Sequence, residues 1–203
     1  MQSPVDISVL ILAGGKSSRM GQDKALMDFQ GRSLLQRVYD AAAQCCPRIY
    51  IATHQPQVYQ PLLPQSSLWI SETPHEGDRP FQGPLIGFAR ALPHIPSAWI
   101  LLLACDLPFL EVETLRQWIQ QAAGNPLPCI ACVPRIRTRW EPLCALYHTS
   151  CRESLQAFVD AGGRSFQRWL DGQPVQPLTV PNPKMLYNCN TQNDFIDGQQ
   201  IGL

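Results

Sequence analysis

The sequence predicts a three-layer α/β architecture: a mostly parallel central sheet flanked by helices. Two observations carry this expectation. The segment "AWILLLACD" (98–106) is apolar almost throughout, as a strand covered on both faces of a parallel sheet must be. Strand-like and helix-like segments also alternate along the chain, the order that builds such a sheet through crossover connections.

The elements follow in order. "DISVLILA" (6–13) reads as the first strand, and Ser33 then caps a helix whose apolar positions Leu34, Leu35, Val38 and Ala42 recur at helical spacing. "RIYIAT" is a second strand and "SLWIS" a short third. "PLIGFARAL" is a helix opened by Pro84, whose fixed φ suits a first turn. "AWILLLACD" is the next strand, followed by a helix from about Val112 to Ala122, the strands "CIACVP" and "LCALYH", and a helix in "SCRESLQAFVDAGG".

At 203 residues the chain suits one domain, residues 1–203. Sixteen basic side chains balance sixteen acidic ones, so no overall field draws the protein to nucleic acid or to an anionic membrane. The longest unbroken apolar run, Ala98 to Cys105, falls well short of the roughly 20 residues that span a bilayer, and "MQSPVD" has no basic stretch leading into an apolar one. The expected location is cytoplasmic. There the eight cysteines are reduced thiols, mostly small buried hydrophobes. The 19 prolines cluster in loops, which stiffens the connections.

Directly behind the first strand lies "LAGGKSSRMGQDKAL" (12–26), with three glycines among several cations. The first loop after the first strand of an open α/β sheet is the usual phosphate cradle. Gly14 and Gly15 allow a sharp turn with bare N–H groups, and Arg19 and Lys24 add positive charge. The composition equally suits a basic surface loop. The glycines at 14, 15 and 21 satisfy neither the Walker spacing nor the dinucleotide spacing.

The same stretch resembles the signature of the molybdenum cofactor guanylyltransferases, L-A-G-G-x-S-x-R-M-G-x-D-K, and meets each of its fixed positions. "GPLIGFARAL" (83–92), "CDLPFL" (105–110), "WEPLCALY" (140–147) and "NCNTQNDF" (188–195) agree with later parts of that family, so the resemblance covers nearly the whole chain. It implies the Rossmann-like nucleotidyltransferase fold. It also implies transfer of GMP from GTP to the terminal phosphate of molybdopterin or Mo-molybdopterin, with release of pyrophosphate and Mg²⁺ as cofactor. A molybdenum-inserting protein and molybdoenzyme apoproteins are the partners it suggests.

The chemistry says which residues that reaction needs. A phosphate monoester with a second pKa of about 6 is largely dianionic at neutral pH and requires no general base. Charge neutralisation is what is lacking, and cations and oriented N–H dipoles supply it. On the resemblance, Lys24 contacts the GTP phosphates, Arg19 holds the departing pyrophosphate, and the amides of Gly14 and Gly15 lie nearby. Asp106 ends an apolar strand, where a divalent cation would compensate a carboxylate that is costly to bury; the matching family residue binds Mg²⁺. Asp106 could otherwise cap the next helix, although Leu107 and Pro108 separate it from the helical pattern. Asp23 suits either orienting Lys24 or capping its own segment.

Leu12, Ala13 and the Gly83–Pro84 pair are expected at the guanine pocket. Thr53 stands where relatives carry Asn, and Glu72 and Asp78 are the available substitutes for an Asp after the third strand. Asn188 and Asn190 are expected on the acceptor side, or equally in an Asx turn. Arg135, Arg137 and Arg139 alternate along what reads as an extended stretch and so would share a face. Cys129 and Cys132 form a lone C-x-x-C, more simply core than zinc site. The four histidines fit no metal or nucleophile pattern. Two other functions suit the same residues: a CTP-dependent cytidylyltransferase acting on molybdopterin or another phosphorylated acceptor, and a non-catalytic nucleotide-binding or carrier module. Joint presence of Arg19, Lys24 and Asp106 weighs against the latter.

Overall fold

A computed structural model describes residues 6–14, 23–71, 83–124, 129–189 and 194. The first strand, β1 (Ile7–Leu12), is buried at every position. A small antiparallel pair, β2 (Asp28–Phe29) and β3 (Arg32–Ser33), leads into α1 (Leu34–Ala43). Ser33 starts that helix through a full capping box: its hydroxyl accepts from the Gln36 amide, and the Gln36 side chain accepts from the Ser33 amide.

Next come β4 (Ile49–Thr53), the single turn α2 (Pro56–Tyr59) and β5 (Leu68–Ser71). Then α3 (Pro84–Ala91), β6 (Trp99–Ala104) and α4 (Val112–Ala123) follow. The C-terminal part holds β7 (Ala131–Ile136), β8 (Arg139–Trp140), β9 (Cys144–His148), α5 (Arg152–Asp160), α6 (Phe166–Leu170) and β10 (Val175–Leu178).

The sheet runs β10-β7-β9-β6-β1-β4-β5, with β8 paired to β7. All neighbours on the β5-β4-β1-β6 side are parallel, and β10 is parallel to β7; β9 runs antiparallel between β6 and β7. The expected mostly parallel sheet is therefore what forms.

Alternation of side chains explains why β1 and β6 read as continuous apolar runs. Val9, Ile11, Leu101 and Leu103 join a core beneath α1 and α4 with Leu35, Val38, Leu115 and Trp118. Leu10, Leu12, Ile100 and Leu102 point the other way, into a core shared with Leu85, Phe88, Leu155 and Trp169 of α3, α5 and α6. The polar exception, Ser8, is wholly buried and pairs its hydroxyl with Ser97 at 2.6 Å.

Three details differ from the expectation. The strand expected at "CIACVP" starts later and runs on through Pro134 to Ile136, which Pro134 permits by using its carbonyl, accepting from the Glu141 amide at 2.8 Å. The Arg135–Arg139 stretch is not extended. Arg137 takes a left-handed φ of +56° and Arg139 pairs back onto Ile136, so the chain folds into a tight hairpin and the three arginines do not share a face. Finally, α6 and β10 had no clear sequence pattern; "VQPL" is short and carries a proline.

Candidate active site

The site forms beyond the carboxyl ends of β1 and β6, where ligands of open α/β sheets bind. At this edge the Ala13 amide donates to the Ala52 carbonyl at 2.9 Å, and the Cys105 amide donates to the Leu12 carbonyl at 3.3 Å. The Ala104 amide in turn donates to the Leu143 carbonyl at 2.8 Å. These bonds hold the end of β6 between β1 and the residues that lead into β9, and Asp106 is the second residue beyond that end.

A cavity of about 190 Å³ opens here, lined among others by Leu12, Gly14, Asp23, Lys24, Pro84 and Asp106. Four segments distant in sequence thus meet around one space. Gly14 adopts a φ of +145°, which strains any other residue, and a Cβ on it would lie 3.0 Å from His54 Nδ1, so the His54 side chain would have to give way. Pro84 opens α3 behind Gly83, whose φ of +89° makes the bend into the helix.

Lys24 begins a short 3₁₀ turn, Lys24–Leu26, capped by Asp23. Asp23 Oδ1 accepts from the Ala25 amide at 3.0 Å, and its other oxygen accepts from the Tyr59 hydroxyl. Of the two readings of Asp23, the structure bears out the cap.

Asp106 lines the same cavity. Its Oδ1 is buried and has no hydrogen-bond partner among the described residues. Desolvation pushes its carboxyl above the ordinary value, and the nearby Lys24 charge acts in the opposite sense. A buried, half-compensated carboxylate oxygen facing a cavity is suited to a hard divalent cation, which prefers oxygen ligands and can keep several waters.

The other expected site residues fall into two groups. Thr53 is fully buried at the end of β4, where its hydroxyl accepts from the Gln55 amide at 3.2 Å; Thr53, Ala13 and Gly83 are not among the residues lining the cavity. Gly15, Arg19, Glu72, Asp78 and Asn190 lie outside the described residues. Asn188 lines a second cavity, of about 380 Å³, which shares Leu143 with the first. Beside it the Cys189 amide donates to the Asp106 carbonyl at 3.0 Å, tying this segment to the strand end that carries the carboxylate.

Cys129 and Cys132 stand 3.9 Å apart, Sγ to Sγ, and among the described residues no cluster of three potential metal ligands occurs. Tyr59, Glu141 and Leu143 escaped sequence reasoning. Tyr59 sits in a single helical turn with no periodicity to mark it, and Leu143 and Glu141 read simply as residues preceding a strand.

Comparison with known proteins decides the family. The profile of the MobA-like NTP transferase domain matches residues 9–175. The chain belongs to the MobA-like NTP transferases. Proteins named "Probable molybdenum cofactor guanylyltransferase" from Nostoc sp. and Trichormus variabilis are 46% and 47% identical to it over 190 residues, covering 94% of this chain and 89% of each relative. Among solved structures, molybdopterin-guanine dinucleotide biosynthesis protein A from Archaeoglobus fulgidus superposes with a TM-score of 0.73 at 22% identity, covering 96% of this chain and 97% of that one. The fold of this MobA-like transferase is thus the nucleotidyltransferase fold, and the chain is a nucleotidyltransferase. No helix among its described residues is long and apolar enough to cross a membrane.

Proposed function

We infer that this MobA-like transferase joins GMP from GTP to the terminal phosphate of molybdopterin, forming a guanine dinucleotide and releasing pyrophosphate. Convergence of Lys24, Asp106 and the Gly14 turn on one cavity is the observation that carries the reading. A non-catalytic carrier needs no orphaned buried carboxylate in its ligand pocket. Relatives named as guanylyltransferases at up to 47% identity favour GTP over CTP.

An oxygen of the acceptor's dianionic phosphate attacks the α-phosphorus of GTP, a P–O bond forms, and the α–β bridging P–O bond breaks with its electron pair leaving on pyrophosphate. No proton has to be removed from the nucleophile. Lys24, held by the Asp23 cap, neutralises charge on the triphosphate, and the Gly14 turn lets backbone approach it closely. The family resemblance adds Gly15 as a backbone donor and Arg19 as the cation for the leaving pyrophosphate. Removing one such preorganised donor costs about 2.7–4 kcal/mol in the transition state.

Asp106 is the residue that would hold Mg²⁺, and its unpaired Oδ1 fits a hard cation. When bound, Mg²⁺ would polarise phosphate oxygens and offset the charge of two approaching polyanions. Leu12 and Pro84 border the space for the base, with Glu72 and Asp78 as further contributors on the family resemblance, whereas Thr53 is buried away from it; Asn188 and Asn190 are assigned to the acceptor. Residues 1–203 act as one domain, which one continuous sheet supports. The eight free cysteines suit a reducing cytoplasm. A molybdenum-inserting protein and molybdoenzyme apoproteins are the partners this reaction would serve.

Label distribution tests the reading. With GTP labelled at the α-phosphate the label should appear in the dinucleotide product, and with GTP labelled at the γ-phosphate it should appear in pyrophosphate. Label from the γ-position in the product would mean phosphoryl rather than guanylyl transfer.

A further inference from the structure

The second cavity contains a carboxylate that guanylyl transfer itself does not use. Glu141 follows β8 directly, its backbone fixed by donation to the Pro134 carbonyl at 2.8 Å. Its side chain is half-buried, and its carboxylate makes no hydrogen bond or ion pair with the described residues. The neighbouring wall is rigid. The Trp140 amide donates to Gln167 Oε1 at 3.0 Å, the Gln167 side-chain amide donates back to the Trp140 carbonyl at 2.6 Å, and the Trp140 indole N–H donates to Asp171 at 3.0 Å. Arg135 stacks its guanidinium over the same ring at 4.7 Å. An unpartnered carboxylate on a rigid wall thus lines a space of about 380 Å³, within the range of small-molecule sites.

We propose that Glu141 is the residue that reads the acceptor's ring, accepting from the ring N–H and the exocyclic amine of a 2-amino-4-oxopyrimidine edge, as a pterin presents it. The two donors of that edge lie side by side, as do the two carboxylate oxygens, so a paired contact forms with an ionised acceptor. Guanine presents the same edge. The location selects the pterin: this cavity lies on the β9 side of Leu143 and includes Asn188, whereas the glycine turn and Lys24 line the other cavity. Because the Cys189 amide is bonded to the Asp106 carbonyl, a ring seated beside Asn188 lies next to the strand end that carries Asp106. The assignment rests on the guanylyltransferase reading, since only that reaction brings a pterin acceptor to the site.

Burial raises the Glu141 carboxyl above its ordinary value, with Arg139 opposing, so the contact has a pH signature. Affinity for the ring is lost as pH falls through the raised value, because a protonated carboxyl accepts with one oxygen fewer.

The test uses the full chain and Glu141→Gln, with free pterin and lumazine, which lacks the 2-amino group, titrated by fluorescence. Alongside, KM is measured for molybdopterin and for GTP. Wild type should prefer pterin to lumazine, and Glu141→Gln should erase that preference and the acid-side loss, and raise the molybdopterin KM on the order of tenfold with the GTP KM unchanged. An unchanged pterin preference and molybdopterin KM would overturn the assignment, as would a rise confined to the GTP KM, which would give Glu141 to guanine. A wild type that binds pterin with this preference yet transfers no GMP would instead sink the guanylyltransferase reading and leave the pocket's ring specificity standing.

Discussion

The Tyr59 hydroxyl donates to the Asp23 carboxylate across 36 residues of sequence, and the same carboxylate caps the turn that begins with Lys24. Burial first, and then the hydrogen bond to Asp23, push the Tyr59 phenol far above its ordinary value, so it remains a proton donor at any working pH. Tyr59→Phe removes that donor and frees Asp23 to rotate. The expected loss is about 1–2 kcal/mol in kcat/KM for GTP, roughly five- to thirtyfold, with the acceptor KM unaffected. Steady-state kinetics with GTP varied at saturating acceptor checks it; an unchanged value would mean Lys24 is positioned without Tyr59.

Asp106→Asn should separate stability from activity. The folded carboxyl titrates above its unfolded value, so ionisation costs stability that is fully available below the unfolded value and is lost as pH rises through the folded one. At neutral pH the metal-free Asn variant should therefore melt higher than wild type, by about 2–4 °C for each ~1 kcal/mol recovered, while losing transfer activity. Added Mg²⁺ should raise the melting temperature of wild type and leave the variant unchanged. Thermal melts with and without Mg²⁺ give all three comparisons.

Ser33→Ala removes the hydroxyl half of the capping box at the start of α1 and keeps the backbone donor to Gln36. A loss of about 1 kcal/mol is expected, read as a fall of about 2–4 °C in Tm, with GTP affinity retained.

Gly163→Ala tests a close approach far from the site. A Cβ there would fall 2.3 Å from the Phe158 ring, which must move. Overpacking of this kind costs about 1–3 kcal/mol, measurable by urea denaturation, and kcat should not change.

What could be read from the sequence divides along physical lines. That Lys24, Gly14 and Asp106 meet at one cavity was legible because each depends on local order: a glycine turn after a strand, a cation behind it, a carboxylate at the end of an apolar run. The Ser33 cap was legible for the same reason. The placements of Tyr59 against Asp23 and of Glu141 in the second cavity come from contacts between segments far apart, and nothing in their own neighbourhoods marks them. The antiparallel direction of β9 is set by the sheet order, since "LCALYH" would read the same in either direction. Alternation of the arginines from 135 to 139 suggests an extended stretch, but the left-handed φ of Arg137 turns the chain back.

The most direct measurement is pyrophosphate release with GTP, CTP, ATP and UTP in turn, with Mg²⁺ and molybdopterin, for wild type, Lys24→Ala and Asp106→Asn. A guanylyltransferase built on these two residues predicts release with GTP that is strongly reduced in both variants, and little with the other nucleotides. Release of similar size from CTP, or full activity in either variant, would contradict it.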